Sequence, residues 1–144
     1  VAPMSPAQRA LCDPGMLELA EQGFKLSAIE YRQLERARDA FGRRMNGLHQ
    51  QYDLLITPQL ATTAFAAGHE VPPGSALKHW WQWSPFTYPF NLTQQPAATV
   101  PCGFAANGLP VAVQIVGAKF ADALVLRAAR AFERTHPFVL PKIP

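Results

Sequence analysis

The chain has 144 residues, 49% hydrophobic and 16% charged, and carries a net charge of +3. That composition belongs to one globular domain with a core of its own and excludes a disordered chain, while so small a charge, spread along the sequence, does not make a nucleic-acid tract. No apolar run is long enough to span a bilayer and no secretory signal pattern is present.

Taken in order, residues 1–15 are rich in proline and begin without a clear element. Asp13 then caps a helix over residues 15–22, with Pro14 in the first turn, where its missing N–H costs nothing, and Gly23 as the stop. Ser27-Ala28-Ile29-Glu30 reads as a capping box, in which the serine hydroxyl takes the N3 amide and the glutamate reaches back to the cap amide. A long helix follows to about Gln50. Its apolar positions Tyr31, Leu34, Phe41, Met45, Leu48 and Tyr52 recur at sums of three and four, the spacing of one core-facing stripe. Arg32, Arg36, Arg38, Arg43 and Arg44 interleave with Glu30, Glu35 and Asp39, the pattern of a solvated helix face. Residues 53–57 read as a short buried strand ended by Pro58.

Residues 58–96 hold many of the fourteen prolines and little periodicity, and a connection of that length is usually functional. Within it, residues 75–83 are expected to form a helix capped by Ser75, with Leu77, Trp80 and Trp81 on one side. The stretch 84–117 organises the rest. Two apolar, β-rich runs, 97–104 and 111–116, flank Asn107-Gly108, whose tolerance of positive φ predicts a hairpin with a type I′ turn. Only Gln114 is polar in the second run, so that strand is expected to be covered on both faces. A final helix starts at Ala121 or Asp122, buries Leu124, Val125, Ala128 and Phe132, and ends at His136-Pro137, before an extended tail to Pro144. Helix followed by strand, then hairpin and helix, is the order of an α/β fold. Cys12 and Cys102 do not make a disulfide framework. Cys102, in a predicted buried strand, is expected to pack as a small hydrophobe, and a reducing, cytoplasmic setting fits.

Many spaced residues match one family. Pro89, Phe90, Asn91, Leu92, Thr93, Gln95-Pro96-Ala97-Ala98, Val100-Pro101-Cys102-Gly103-Phe104, Gly108-Leu109-Pro110 and Gln114-Ile115-Val116-Gly117 resemble the C-terminal part of the amidase signature family. These are serine amidohydrolases that include bacterial amidases, fatty-acid amide hydrolases and the A chain of amidotransferases. The resemblance extends upstream through Asp13-Pro14-Gly15 and residues 52–58, and downstream from Asp122 to Glu133. It implies that residues 1–144, which begin without Met, are the C-terminal fragment of a single amidase domain, with helices packed on a mixed sheet. The implied reaction hydrolyses a carboxylic amide to acid plus ammonia or amine through an acyl-enzyme formed by a serine, assisted by a second serine in a cis peptide bond and a lysine.

None of those three groups has a counterpart here. There is no Gly-Gly-Ser-Ser run, and Lys25, Lys78, Lys119 and Lys142 stand in unrelated contexts. No catalytic residue is therefore assigned, and the segment alone is expected to be inactive, because a serine without an adjacent base is a poor nucleophile. Ser5, Ser27, Ser75 and Ser84 lie outside any nucleophile elbow. His49, His69, His79 and His136 lack metal-ligand spacing, so neither metal nor organic cofactor is expected.

Trp80, Trp81 and Trp83 are either a plain packing cluster or the wall of an apolar pocket. Asn91, Thr93, Gln95 and Thr99 either satisfy backbone groups around the Pro-rich turn, the reading favoured for Asn91 and Thr93, or reach a ligand. The resemblance implies that the loop before the hairpin shapes the substrate side, which makes Trp83, Phe86, Thr87, Tyr88 and Asn91 the candidate substrate-binding residues. Three departures stand out. The family commonly has glycine where Gln94 and Ala112 stand, and its amidotransferase branch typically has an aspartate where Ser84 stands. A serine cannot supply that charge, which argues for a stand-alone amidase of a neutral or bulkier amide. The expected partners are a small-molecule amide and further copies of the chain through exposed strand edges, with neither nucleic acid nor membrane. The reading from a different class is a non-catalytic binding or assembly module, or an amidotransferase-like subunit.

Overall fold

The computed structural model describes residues 3–139; the tail expected to run extended to Pro144 lies largely outside them. The chain divides into two compact units, one ending at Ala37 and the other beginning at Arg38. In the first, local capping sets each helix. Helix α1, Pro6–Arg9, is a single turn in a stretch where no element was expected. Ser5 and Gln8 cap it reciprocally: the Ser5 amide donates to Gln8 Oε1 at 2.8 Å, and the Gln8 amide donates to Ser5 Oγ at 3.3 Å. Helix α2, Pro14–Gly23, starts where Asp13 Oδ1 accepts the Met16 amide at 2.9 Å.

Helix α3, Ala28–Leu48, opens on the predicted capping box. The Ser27 amide donates to Glu30 Oε2 at 2.8 Å, and the Glu30 amide donates to Ser27 Oγ at 3.2 Å. The Ser27 amide first, and then the Ser27 hydroxyl, which donates to Glu30 Oε2 at 2.7 Å, hold the Glu30 carboxyl below the usual carboxylate range. No residue of α3 is buried. Phe41, Met45 and Leu48 are half-buried, whereas Tyr31, Leu34 and Tyr52 of the predicted core stripe stay more than half exposed. Amphipathic spacing records a face, not the element that covers it.

The second unit is built on a three-stranded sheet of β1, Leu54–Pro58; β2, Ala97–Phe104; and β3, Pro110–Gly117. The order is β1-β3-β2 and both pairings are antiparallel. The most apolar run of the sequence becomes the central strand, and Gln114 to Gly117 are its buried half. Ile115 and Val116 are 2% and 0% exposed. Helix α5, Asp122–Thr135, packs on β2 and β3, with Val125 buried and Leu124, Ala128 and Phe132 half-buried, as their spacing requires. The approach is close: a Cβ on Gly117 would sit 2.7 Å from Val125 Cγ2, so glycine is the residue that fits.

Several expectations are corrected by tertiary context. β1 is an edge strand, not a buried one, and Ile56 is 62% exposed; its Pro58 is tolerated because an edge residue need not donate on both sides. Cys102 is exposed. Alternation from buried Val100 would turn its side chain inward, but Pro101 pairs with Ala112 and Gly103 with Val111, so Cys102 is the extra residue of a β-bulge. The hairpin turn is not type I′. Gly108 alone has positive φ, +78°, and the Ala105 carbonyl accepts the Gly108 amide at 2.9 Å. That is a type I turn followed by a left-handed glycine, the three-residue hairpin loop. The helix expected over 75–83 shrinks to one 3₁₀ turn at Trp80–Trp83. Upstream, Gly74 at φ +79° and the Ser75 amide on the Pro72 carbonyl make a turn instead. The loop before the hairpin contains a short helix, α4, Tyr88–Thr93, started by Pro89 and ended by Gln94 in the left-handed region at φ +59°.

Candidate functional site

The chain leaving β1 does not turn away from the sheet. The Gln59 amide donates to the Ala112 carbonyl at 3.1 Å, continuing the β1–β3 ladder by one residue. Thr99 Oγ1 donates to Gln59 Oε1 at 2.7 Å, and Asn107 Nδ2 donates to Thr63 Oγ1 at 3.1 Å. These bonds tether residues 59–63 to both arms of the hairpin region. Phe65 then meets Trp83 edge-to-face, with ring centroids 5.5 Å apart and planes at 86°, a geometry that aligns the positive ring edge with the negative face. The Trp83 indole N–H is satisfied by the Glu70 carbonyl at 3.0 Å.

Between this loop and the part of β2 and β3 that leads into the hairpin turn lies a cleft of about 720 Å³. Its walls include Leu60, Phe65, Trp83, Val111 and Ala112, with Gln59, Thr62, Thr63 and Thr99 supplying polar atoms. That size and lining match a small-molecule pocket, apolar with a few fixed polar groups. Among the described residues, no charged or titratable side chain lines it. It can therefore hold a neutral apolar group, but it supplies no acid, base or nucleophile of its own.

Of the residues singled out in the sequence, Trp83 and Thr99 line this cleft, and Phe86, Thr87, Tyr88 and Asn91 do not. Phe86 is half-buried, and its carbonyl accepts from Gln114 Nε2 at 2.9 Å; the same nitrogen reaches Thr57 Oγ1 at 3.1 Å. Gln114, the one polar residue of the central run, thus ties the segment after Trp83 to β1. Thr87 Oγ1 donates to the Ser84 carbonyl at 3.0 Å, and Ser84 Oγ donates to the Tyr88 hydroxyl at 3.3 Å. Asn91 is on the exposed face of α4. Thr93 and Gln95 are buried and structural: Thr93 Oγ1 donates to Gln95 Oε1 at 2.7 Å, and Gln95 Nε2 donates to the Gly117 carbonyl at 3.2 Å.

The residue that sequence reasoning missed is Phe65. Its only signal was an aromatic in the connection several residues beyond the strand-ending Pro58, and nothing local pairs it with Trp83. Trp80 and Trp81 pack edge-to-face on each other, and the His79 ring stacks on Trp81 at 4.3 Å. Among the described residues, no three His, Cys, Asp or Glu side chains come together as a metal site, and no helix is long and apolar enough to cross a membrane.

Comparison with known proteins adds an independent line. The amidase family model matches residues 5–126. The acylamidase of Rhodococcus erythropolis is 33% identical over 134 residues, which take in 91% of this chain and 28% of that protein. The A chain of the glutamyl-tRNA(Gln) amidotransferase of Thermotoga maritima is 38% identical over 119 residues, covering 80% of this chain and 24% of that one. Among solved structures, a bacterial aryl acylamidase of the amidase signature enzymes superposes with a TM-score of 0.73 at 28% identity, over 92% of this chain and 28% of its own. The chain spans less than a third of the length of each of these relatives.

Proposed function

The chain belongs to the amidase family, and from that premise we propose that it is the C-terminal segment of an amidase domain, supplying sheet and substrate pocket to a carboxylic-amide hydrolase. The observation that carries this reading is the uncharged cleft walled by Phe65 and Trp83. In the whole enzyme a serine outside this segment attacks the amide carbonyl, ammonia or an amine leaves, and water releases the acid. This segment holds the apolar part of the substrate beside that serine, and no metal or organic cofactor enters the reading. The substrate is a neutral amide with a bulky apolar substituent, because nothing in the cleft would pair with a charge. Trp83 touches it directly. Phe86, Thr87 and Tyr88 act on the same side through Ser84 and Gln114, and Asn91, exposed on α4, stays outside the cleft. The same reading places the protein in the cytoplasm, with Cys12 and Cys102 as free thiols.

The test is steady-state kinetics of the intact protein on a bulky apolar amide and on acetamide. Trp83→Ala and Phe65→Ala should each raise KM for the bulky amide by about tenfold with kcat little changed, the signature of lost uniform binding, and leave acetamide alone. Equal effects on both substrates, or none, would refute the assignment of the cleft. Hydrolysis that survives replacement of the nucleophilic serine of the whole protein would sink the acyl-enzyme reading. Exposed apolar side chains such as Ile56 at the β1 edge lead to self-association of the isolated chain, which sedimentation at rising concentration measures; a monodisperse monomer contradicts it.

A further inference from the structure

A second cavity, of about 370 Å³, opens where the later turns of α3, the end of α4 and the turn after β3 meet. Its lining is charged where that of the cleft is apolar. Arg38, Asp39 and Arg43 come from α3 and Lys119 from the turn, with Asn46 and Gln94 beside them. Arg38, Arg43 and Lys119 make no ion pair among the described residues. Arg38 Nε donates to the Leu92 carbonyl at 2.8 Å, which sets the guanidinium against the end of α4 while its two terminal nitrogens stay available. The Lys119 ammonium lies 5.8 Å from the centroid of the Phe120 ring, a contact that uses none of its N–H donors.

Three cations gathered round one concavity repel each other, and a single acid, Asp39, offsets only part of that. The balance is two positive charges. It suits a phosphate, which approaches a dianion at neutral pH, better than a carboxylate with one charge. Two arginine forks and an ammonium also match the directions in which tetrahedral oxygens accept hydrogen bonds. We propose that this cavity binds a phosphate group, free or carried as a monoester. The inference does not rest on the amidase reading and would stand if that reading fell.

Isothermal titration of the intact protein with inorganic phosphate and with phenyl phosphate, at fixed ionic strength, tests it. Saturable binding is expected. Arg43→Gln and Lys119→Gln should each weaken it about tenfold, the effect of one charge-assisted hydrogen bond, and Asp39→Asn should tighten it about threefold. These side chains make no hydrogen bond or ion pair within the described fold, so thermal melts of the variants should match the parent and keep the reading clear of misfolding. Tighter binding of phenyl phosphate assigns the site to an ester, and tighter binding of inorganic phosphate to the free anion. No saturable binding of either probe, or parental affinity in both charge-removal variants, overturns the proposal.

Discussion

Replacing Gln114 with leucine should destabilise the protein by about 2 kcal/mol. The side chain sits on the central strand and is 5% exposed. Its amide nitrogen donates to the Phe86 carbonyl at 2.9 Å and to Thr57 Oγ1 at 3.1 Å. Leucine keeps the volume but loses both bonds, at about 1 kcal/mol each, and strands the Phe86 carbonyl for about 1 kcal/mol more. Its added apolar burial returns about 1 kcal/mol. Urea unfolding of the parent and of Gln114→Leu measures the difference directly. Gln114→Glu is the discriminating companion: a carboxylate of the same shape can only accept, so it faces the Phe86 carbonyl with like charge and should be weaker than the leucine variant at neutral pH. Protonated at low pH, it regains a donor, so its deficit relative to the parent should shrink. A leucine variant within about 0.5 kcal/mol of the parent would refute the view that this amide pins the segment after Trp83 to the sheet.

Two further predictions concern single backbone and capping features. Gln94 holds φ +59° at the end of α4, a region costing a non-glycine residue about 1 kcal/mol, so Gln94→Gly should raise the urea midpoint by an amount equivalent to about 0.5–1 kcal/mol; an unchanged or lowered midpoint contradicts this. Glu30 has a folded-state pKa below its unfolded value. Its stabilising contribution is therefore present above the ordinary carboxylate pKa and lost as pH falls through the lowered one. Unfolding midpoints of the parent should decline over that acidic window more steeply than those of Glu30→Gln, and parallel pH profiles would show that the charge of Glu30 contributes nothing to the cap.

What the sequence determined by itself was local. Asp13 and the Ser27–Glu30 box start their helices because a cap is satisfied within three residues. The run at 97–104 becomes β2 with those bounds, and the apolar stripe around Val125 packs on the sheet, as the spacing of their apolar residues predicts. Tertiary structure decided what depends on partners far along the chain. That β1 pairs with β3, leaving an edge at Ile56, is set by which strand reaches the centre of the sheet. The bulge that turns Cys102 outward needs the β3 register, and the role of Gln114 needs both Thr57 and Phe86. The cleft needs Phe65, Trp83 and the ends of two strands at one place. Each of these is a contact between residues whose own neighbours in sequence say nothing about the other, so only the folded chain could bring them together.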